Sequence, residues 1–551
     1  MVPRRAIHGW AVRWDDAYAR RMHEQGWWLD HTVADLAAPL ARDEPDRLLM
    51  VDGEQRLTAA LLYRRAEALA KAMIARGYKP GTAVSFMLPN WHESAVIYLA
   101  ATLAGLVIHP ILPALRDSEL RFMLEDIGSR MVFAPAVFRG HDYRAMLARV
   151  ARQLITPPEI VVVRGAAGAN TSFESLIGES TAGIALPRVD PESVKLVLYT
   201  SGTTGRPKAV LHSHNSIAAL IQQIRLHWRI DDSSRFLVPS PVTHIGGSIY
   251  AFESPFLLRS MAVLQAVWNP DEAVALIERE RCTHMAGATP FLRELLASAR
   301  SRHTRVPSLS VFICGGASVP PSLIREAAGY FKNCTVTRVF GSTEVPVITV
   351  GATKPGDGEH AAETDGEVGV AEIRLVDGSG RETQGEGEIC ARGPQMLVGY
   401  LWTEDERTAF DDEGYFHTGD LGRIVDGHYL VITGRAKDII IRKGENIAPK
   451  EIEDLLSAHP DIAEVAVVGV PDPGTGERAC AVVVPQGGAR PDLAALRAYL
   501  DERRVARFKI PEQVELRTSL PRNSAGKVLK HKLREELSIP LRPRTPDDRL
   551  H

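Results

Sequence analysis

One short segment, residues 198–208 (LYTSGTTGRPK), most constrains how this chain can fold. Apolar runs over residues 194–199 and 209–212 flank it, and each predicts a buried strand. Between them, glycines allow a sharp turn that brings backbone N–H groups close to a ligand. Hydroxyl groups, together with the cations Arg206 and Lys208, suit a polyphosphate. The segment predicts a phosphate-binding loop, and a polar hairpin turn is the alternative.

The loop is not a P-loop. That motif needs four residues between its glycines and a Ser or Thr after its lysine. Here only Thr203 and Thr204 separate the glycines, and Ala209 follows Lys208. A strand rather than a helix is predicted downstream, so this is a phosphate loop of another kind.

Strands alternate with amphipathic helices from about residue 32 to residue 340, which predicts parallel sheets covered on both faces. Residues 366–433 contain short β-prone runs between Gly-rich turns and predict a small antiparallel barrel or sheet. A compact α+β segment follows residue 435. With 551 residues, two or three domains are expected. The fold class is therefore α/β, with a large domain of doubly wound, mostly parallel sheets, a small β-barrel and a separate α+β C-terminal domain.

Composition excludes several classes of protein. A net charge of -3 gives no reason to expect nucleic acid as a partner. Five scattered cysteines without metal-ligand spacing predict buried thiols in a reducing, cytoplasmic setting. Residues 94–115 carry no charged side chain, but glycine and prolines interrupt them, so a buried helix and a core strand are expected rather than a membrane span.

The loop resembles the phosphate-loop signature of the adenylate-forming enzymes, the superfamily of acyl-CoA synthetases, amino-acid adenylation domains and firefly-type luciferases. Further segments resemble that family's signatures in the same order: residues 340–344 (FGSTE), 415–420 (YFHTGD), 434–438 (GRAKD) and 520–527 (LPRNSAGK). The resemblance spans nearly the whole chain.

The resemblance implies a set of nucleotide and CoA contacts. It implies stacking of the Phe340 ring on adenine, a ribose contact from Asp420 and a ribose–phosphate contact from Arg435. The implied contacts together are Thr200, Ser201, Gly202, Thr203, Thr204, Gly205, Lys208, Gly315, Gly316, Ala317, Phe340, Gly341, Ser342, Thr343, Asp420, Arg435, Lys437, Arg442, Lys443 and Gly444.

It also implies the catalytic, metal and acyl-site residues. Lys527 is expected as the catalytic lysine, with Glu344 and Thr204 as Mg²⁺ ligands and further catalytic residues. His244 is expected to guide the carboxylate or to wall the acyl pocket, and a core histidine is the alternative reading. The implied acyl pocket comprises His244, Gly247, Tyr250, Gly315 and Val345.

The resemblance divides the chain into an adenylate-forming domain (residues 1–434), a hinge (435–437) and a mobile lid domain (438–551). Arg442, Lys443 and Gly444 belong to a loop expected to enter the site for the thioester step. The implied cofactors and substrates are ATP, Mg²⁺, coenzyme A and a small carboxylic acid. A homodimer is left open by the sequence.

The expected activity is that of an ATP-dependent acid–CoA ligase, which forms acyl-AMP and pyrophosphate and then acyl-CoA and AMP. Residues 85–91 and 441–447 resemble the subgroup that acts on medium-chain or alicyclic acids such as cyclohexanecarboxylate. Residues 244–247 (HIGG) lack the aspartate of amino-acid adenylation domains. An acyl-AMP ligase that loads a carrier protein is one alternative, and a non-catalytic AMP sensor is another.

Overall fold

The structure is a computed structural model that describes residues 3–200, 206–316, 319–443, 445–522 and 527–538. Two large, mostly parallel sheets form its N-terminal part. An antiparallel sheet and a smaller mixed sheet follow in the chain. The predicted α/β class is confirmed.

The first large sheet carries the segment from which the phosphate loop projects. Its neighbouring strands are parallel except at one edge, where the hairpin flanking the loop is antiparallel. From edge to edge, its described strands are Thr171–Ser172, Glu159–Val163, Met131–Pro135, Ala83–Phe86, Val107–Pro110, Val194–Thr200, Lys208–Ser213 and Gly399–Tyr400.

The second large sheet is parallel except for its last pair of strands. Its described strands, in spatial order, are Thr335–Val339, Val311–Gly315, His284–Gly287, Arg235–Val238, Met261–Leu264, Leu48–Asp52 and Gln55–Thr58. Parallel strands end at the same edge of a sheet, so the segments after Gly315 and Val339 open side by side there.

The described part of the β-rich region forms an antiparallel sheet of Glu372–Val376, Gly387–Arg392, Phe416–Val425 and Tyr429–Arg435. The C-terminal sheet contains Glu445–Ile447, Ile440–Arg442, Gly476–Pro485 and Ile462–Asp472, with Gln513–Leu516 added parallel to the third of these. Two short hairpins pair Arg4–Ile7 with Trp10–Arg13 and Val137–Phe138 with His141–Asp142.

Helices connect and cover the large sheets. In the N-terminal part they are Asp16–Glu24, Val33–Asp43, Ala59–Ala75, His92–Leu103, Asp117–Asp126, Tyr143–Ala151, Phe173–Ile177, His214–Trp228, Ile245–Ser248, Ser254–Leu257, Pro270–Glu280, Thr289–Ser301, Pro321–Tyr330 and Gly358–Glu363. The C-terminal helices are Pro449–Leu456, Leu493–Glu502 and Lys530–Ser538. Ile249–Glu253 is a π-helix, and Thr403–Glu406, Ala436–Asp438 and Arg507–Lys509 are 3₁₀ turns.

Local capping explains where several helices begin. Asn269 accepts the N–H of Glu272 ahead of the helix Pro270–Glu280, as its sequence predicts. By residue type, the sequence also predicts that Asp117 or Ser118 caps the helix near residues 120–127, and this prediction is wrong. That helix starts at Asp117, and the cap position is Arg116, whose N–H donates to the Glu119 carboxylate.

The apolar stretch near residue 100 is buried in the core, as expected. Its helix, His92–Leu103, is covered on nearly every face, and the strand Val107–Pro110 follows it. None of the helices in the described part of the chain combines the length and apolar character that a membrane span requires. All five cysteines are buried as free thiols.

A buried ion pair fastens the strand of the phosphate loop to the segment after residue 244. Lys195, on the strand Val194–Thr200, lies 2.5 Å from the carboxylate of Glu253, the last residue of the π-helix. The Tyr98 hydroxyl donates to the same carboxylate over 2.6 Å. Since breaking such a buried pair leaves an uncompensated charge, these contacts hold the two segments in one arrangement.

Candidate active site

The predicted phosphate loop is carried on a tight hairpin. Thr200 and Lys208 are direct partners in the antiparallel register, so the intervening loop starts and ends at one point of the sheet edge. The predicted contacts Ser201, Gly202, Thr203, Thr204 and Gly205 lie outside the described residues. What the structure defines is the rigid base from which the loop projects.

The cations at the base of this loop are paired with Asp405. Arg206 donates to its carboxylate over 2.9 Å, and Lys208 Nζ lies 3.4 Å from its carbonyl oxygen. The Lys208 ammonium also lies 5.2 Å from the centre of the Tyr400 ring. Ring and carboxylate together hold Lys208 at the end of the hairpin, where an anionic ligand of the loop would meet it.

Glu344 stands next to the same hairpin. Its Oε1 accepts from the Tyr400 hydroxyl over 3.0 Å and faces the Thr200 hydroxyl at 3.5 Å. A carboxylate held by hydroxyl groups keeps lone pairs for a hard cation. These donors fit the predicted Mg²⁺ site, for which Thr204, outside the described residues, is the second predicted ligand.

The turn over residues 340–345 is fixed from several sides. The N–H of Phe340 donates to Thr349 Oγ1, and Ser342 Oγ accepts the N–H of Val345. An added Cβ at Gly341 would come within 2.4 Å of the backbone nitrogen of Val347, so this close approach requires glycine.

His212 fixes the Thr343 carbonyl. Burial lowers the pKa of His212 to about 4, so its ring is neutral at physiological pH. A carbonyl oxygen only accepts, so Nε2–H must donate to Thr343 O over 2.7 Å. The bond ties the turn to the strand that follows the phosphate loop.

Gly315 and Gly316 end the neighbouring strand. A Cβ on Gly315 would lie 2.8 Å from the Val339 carbonyl oxygen, and Gly316 has a φ of +83°, which favours glycine. The predicted contact Ala317 lies outside the described residues. Gly315 and Gly316 have no side chain of their own to cover the backbone, so a flat ring such as adenine can pack directly against it.

Asp420 and Arg435 face each other across the antiparallel sheet. They are register partners, and Arg435 Nε donates to Asp420 Oδ1 over 2.6 Å. The Asp420 side chain is nearly buried, whereas that of Arg435 is 43% exposed. The pair presents a carboxylate and a guanidinium together to the space beside the large sheets.

That space is a cavity of about 310 Å³ that collects several of the predicted residues. Its lining includes Gly316, Phe340, Gly341, Asp420, Arg435 and Lys527. The pKa of Lys527 is lowered to about 8, chiefly by burial and next by the charge of Arg435, while Asp420 and then Asp438 oppose the shift. The last predicted motif of the chain thus shares a cavity with residues far earlier in the sequence, including Gly316.

Three of the predicted acyl-pocket residues, His244, Gly247 and Tyr250, lie on one short segment beside the core. His244 precedes the helix Ile245–Ser248, its buried Nε2 has no hydrogen-bond partner among the described residues, and burial lowers its pKa. Tyr250 is buried and stacks on Phe236, with ring centres 4.9 Å apart. Val345 is fully buried. The neutral His244 ring, whose Nε2 has no partner in the described part of the chain, fits a polar contact to a ligand, whereas Tyr250 packs in the core.

Lys437 of the predicted hinge and the described thioester-loop residues Arg442 and Lys443 do not line the cavity that contains Lys527, although the hinge residue Arg435 does. Lys437 is within the 3₁₀ turn Ala436–Asp438, and its carbonyl accepts from Arg534. Arg442 pairs with Glu512 at 2.7 Å, and Lys443 has a φ of +49°. Neither Arg442 nor Lys443 lines the described cavity, and Gly444 lies outside the described residues. In this arrangement Lys527 faces the site, and the described part of the thioester loop does not.

Comparison with known proteins identifies the family. A family profile described as "AMP-binding enzyme" matches residues 39–401, and one described as "AMP-binding enzyme C-terminal domain" matches residues 451–527. This chain belongs to the AMP-binding enzymes. Its fold class, its adenylate-forming character, its ATP-dependent activation of an acid and its class as an AMP-forming acyl-CoA synthetase are confirmed.

Individual relatives cover nearly the full length. A medium-chain fatty-acid–CoA ligase of Escherichia coli strain K12 is 35% identical, over 93% of this chain and 92% of its own. A 2,3-dihydroxybenzoate-AMP ligase of Bacillus subtilis strain 168 is 32% identical, over 95% and 97%. The crystal structure of ATP-bound MatB from Rhodopseudomonas palustris has a TM-score of 0.82 at 29% identity, and the match covers 92% of this chain and 99% of that one.

Sequence reasoning missed several residues that shape the site of this AMP-binding enzyme. Tyr400 donates a hydrogen bond to Glu344 but lies on a strand of only two residues. Its place in the site becomes visible only when that strand pairs with residues 210 and 211. His212 lies in the strand predicted after the phosphate loop. A histidine at the end of an apolar run was the only signal in the sequence. Asp438 was part of a quoted motif, and its charge acts on Lys527.

Gly246 and Gly247, which follow His244, give a matched test of this turn. A methyl group on Gly247 would lie 2.2 Å from the Pro241 carbonyl oxygen, whereas one on Gly246 would meet no described atom within 4 Å. We expect Gly247→Ala to displace the His244 turn, lowering both acid-dependent pyrophosphate release and the melting temperature. Gly246→Ala should match the wild type in both measurements. Equal behaviour of the two variants would show that the turn does not depend on this close approach.

Proposed function

We propose that this AMP-binding enzyme joins a medium-chain or alicyclic carboxylic acid to coenzyme A. The proposal is supported most directly by the single cavity that Lys527 shares with Asp420, Arg435 and Phe340. The E. coli relative named as a medium-chain fatty-acid–CoA ligase supports the substrate class and the acceptor. Five buried free thiols are consistent with work in the reducing cytoplasm.

In the first half-reaction the substrate carboxylate attacks the α-phosphorus of ATP. A bond forms between carboxylate oxygen and phosphorus, the bond to the bridging oxygen breaks, and pyrophosphate leaves. Two anions must approach each other, so charge neutralisation and alignment contribute more than a covalent catalyst. We assign Lys527 to bridge the carboxylate and the α-phosphate, because its ammonium stands among nucleotide-binding candidates.

Other side chains of this chain hold the reactants. Asp420 can accept from vicinal ribose hydroxyls, and Arg435 Nε already orients that carboxylate. The Phe340 ring offers a face for adenine, and the bare backbone of Gly315 and Gly316 offers another wall. Mg²⁺, when bound by Glu344 and Thr204, supplies positive charge against the phosphates.

In the second half-reaction the CoA thiol attacks the acyl carbon, and AMP leaves. Since Lys527 occupies the site in the arrangement described here, the thioester loop with Lys443 needs a domain rotation to reach it. The 3₁₀ turn at Lys437 supports a hinge at this position, because a few residues between elements can absorb such a rotation. Arg442, released from Glu512, can then meet the CoA phosphates.

A carrier protein is the alternative acceptor. It is supported by the relative named as a 2,3-dihydroxybenzoate-AMP ligase, whose name mentions no CoA. A panel of medium-chain, alicyclic and aromatic acids, each assayed for pyrophosphate release with and without CoA, separates the readings. We expect acyl-CoA from medium-chain or alicyclic acids. Pyrophosphate release with acyl-AMP as the final product, even with CoA present, would favour the carrier reading. Absence of acid-dependent release for every acid would favour a non-catalytic sensor.

The pKa of Lys527 gives a pH prediction. Only the protonated amine can neutralise the two anions, and its pKa is lowered to about 8. We expect kcat/KM for ATP in the adenylation half-reaction to fall as pH rises above about 8, because this parameter reports the free enzyme. In Lys527→Arg the guanidinium stays charged, so the decline should move to higher pH whatever the absolute rate. An identical decline in that variant would assign it to another group.

A further inference from the structure

Three side chains with different donor atoms meet on the antiparallel sheet, and none of them is among the residues assigned to catalysis. Glu388 and Cys390 lie on one strand, two positions apart and therefore on one face, and His417 is the register partner of Cys390. Their Sγ, Nδ1 and carboxylate oxygen atoms all lie within 4.8 Å of one another.

Two of the separations between these donors resemble those of a metal site. Cys390 Sγ lies 3.3 Å from His417 Nδ1, and that nitrogen lies 3.2 Å from Glu388 Oε2. In a tetrahedral zinc site, bond lengths near 2.0–2.3 Å give donor-to-donor separations of about 3.3–3.6 Å. Two of the three separations are therefore close to those of a zinc site, and the third, between Cys390 Sγ and the Glu388 carboxylate, is at most 4.8 Å.

We propose that Glu388, Cys390 and His417 bind one divalent transition-metal ion of the Zn²⁺ class, at a site separate from the Mg²⁺ that accompanies ATP. Sulfur, imidazole and carboxylate ligands suit Zn²⁺ and its neighbours and not Mg²⁺, which prefers oxygen alone. On binding, the thiol proton of Cys390 leaves to solvent as the bond from sulfur to metal forms, and water completes the coordination.

The surroundings support an ion at this point. The second oxygen of Glu388 accepts the N–H of Gly419 over 3.0 Å, which orients the carboxylate towards His417. The side chains of His417 and Glu388 are 30% and 28% exposed, so an ion can enter from solvent while Cys390 stays buried. Among the described residues, Glu388 has no ion pair with Lys or Arg, and its charge is available to the metal.

A second cluster of similar composition shows the contrast. Asp52, His92 and Glu93 also bring their donor atoms within 4.8 Å of one another. There, however, the Arg164 guanidinium bonds both carboxylates and lies 3.1 Å from His92 Nδ1. A cation already fills that centre, so we expect no metal at it.

A redox role for Cys390 is less consistent with its setting. The Cys390 side chain is fully buried, so oxidants in solvent reach its sulfur poorly. A bound metal is what makes such a thiol lose its proton. Because Asp420 follows three residues after His417, an ion here would also brace the segment that carries the predicted ribose contact.

Co²⁺ titration of the untagged full-length protein, kept reduced and free of nucleotide, tests the site. We expect one ion per chain, a thiolate-to-Co²⁺ charge-transfer absorption, its loss when Zn²⁺ is added, and a higher melting temperature with Zn²⁺. Cys390→Ser should abolish the charge-transfer band and weaken Co²⁺ binding at least about tenfold, since even outer partners of metal ligands contribute that much. His417→Gln should weaken binding similarly.

Matched controls decide the location. Cys480→Ser removes another buried thiol, and His92→Gln alters the cluster already occupied by Arg164; both should keep the band and the affinity of the wild type. Absence of the band from the wild type, or its persistence in Cys390→Ser, would overturn the proposal. Should Cys390→Ser fail to fold, an unchanged band and affinity in His417→Gln would overturn it equally.

Discussion

The site depends on one long-range constraint, the placement of the Lys527 ammonium beside the Asp420–Arg435 pair. The lysine comes from the C-terminal segment, and the pair comes from the antiparallel sheet. Neither part encloses the cavity alone. Burial lowers the pKa of Lys527 because the surrounding protein solvates its charge less well than water does. An anionic ligand bound between these groups would stabilise the charged form of Lys527. Binding of substrates would therefore favour the arrangement in which Lys527 faces the cavity.

Around this centre, the described polar groups hold one another in place before any ligand arrives. Arg435 orients Asp420, Tyr400 orients Glu344, and Asp405 holds Lys208. Such pairing limits the reorganisation needed when charge moves during adenylation. The buried Lys195–Glu253 pair has a structural role, because it joins the phosphate-loop strand to the π-helix that follows His244.

The sequence was most informative where a local rule decides the structure. The two strands that flank residues 201–207 and the helix capped by Asn269 follow from apolar runs and a capping pattern. The site was predictable only through the order of the family's motifs, because no local rule brings Lys527 to Asp420. Tyr400 and the Cys390–His417 pair remained hidden, since they depend on strand register between distant segments. The cap at Arg116 was missed because Asp117 is the better capping residue by type.

The half-reactions of Lys527→Ala test the central claim most directly, measured as ATP–pyrophosphate exchange and as thioester formation from supplied acyl-AMP. Lys530→Ala is the matched control, because Lys530 lines the same cavity and is paired with Glu453 at 2.7 Å. We predict that Lys527→Ala slows the exchange by about 10²–10³-fold, as loss of one charge-stabilising donor does, while thioester formation stays close to wild type. Lys530→Ala should affect both half-reactions little. An equal loss of both half-reactions in Lys527→Ala would contradict the account.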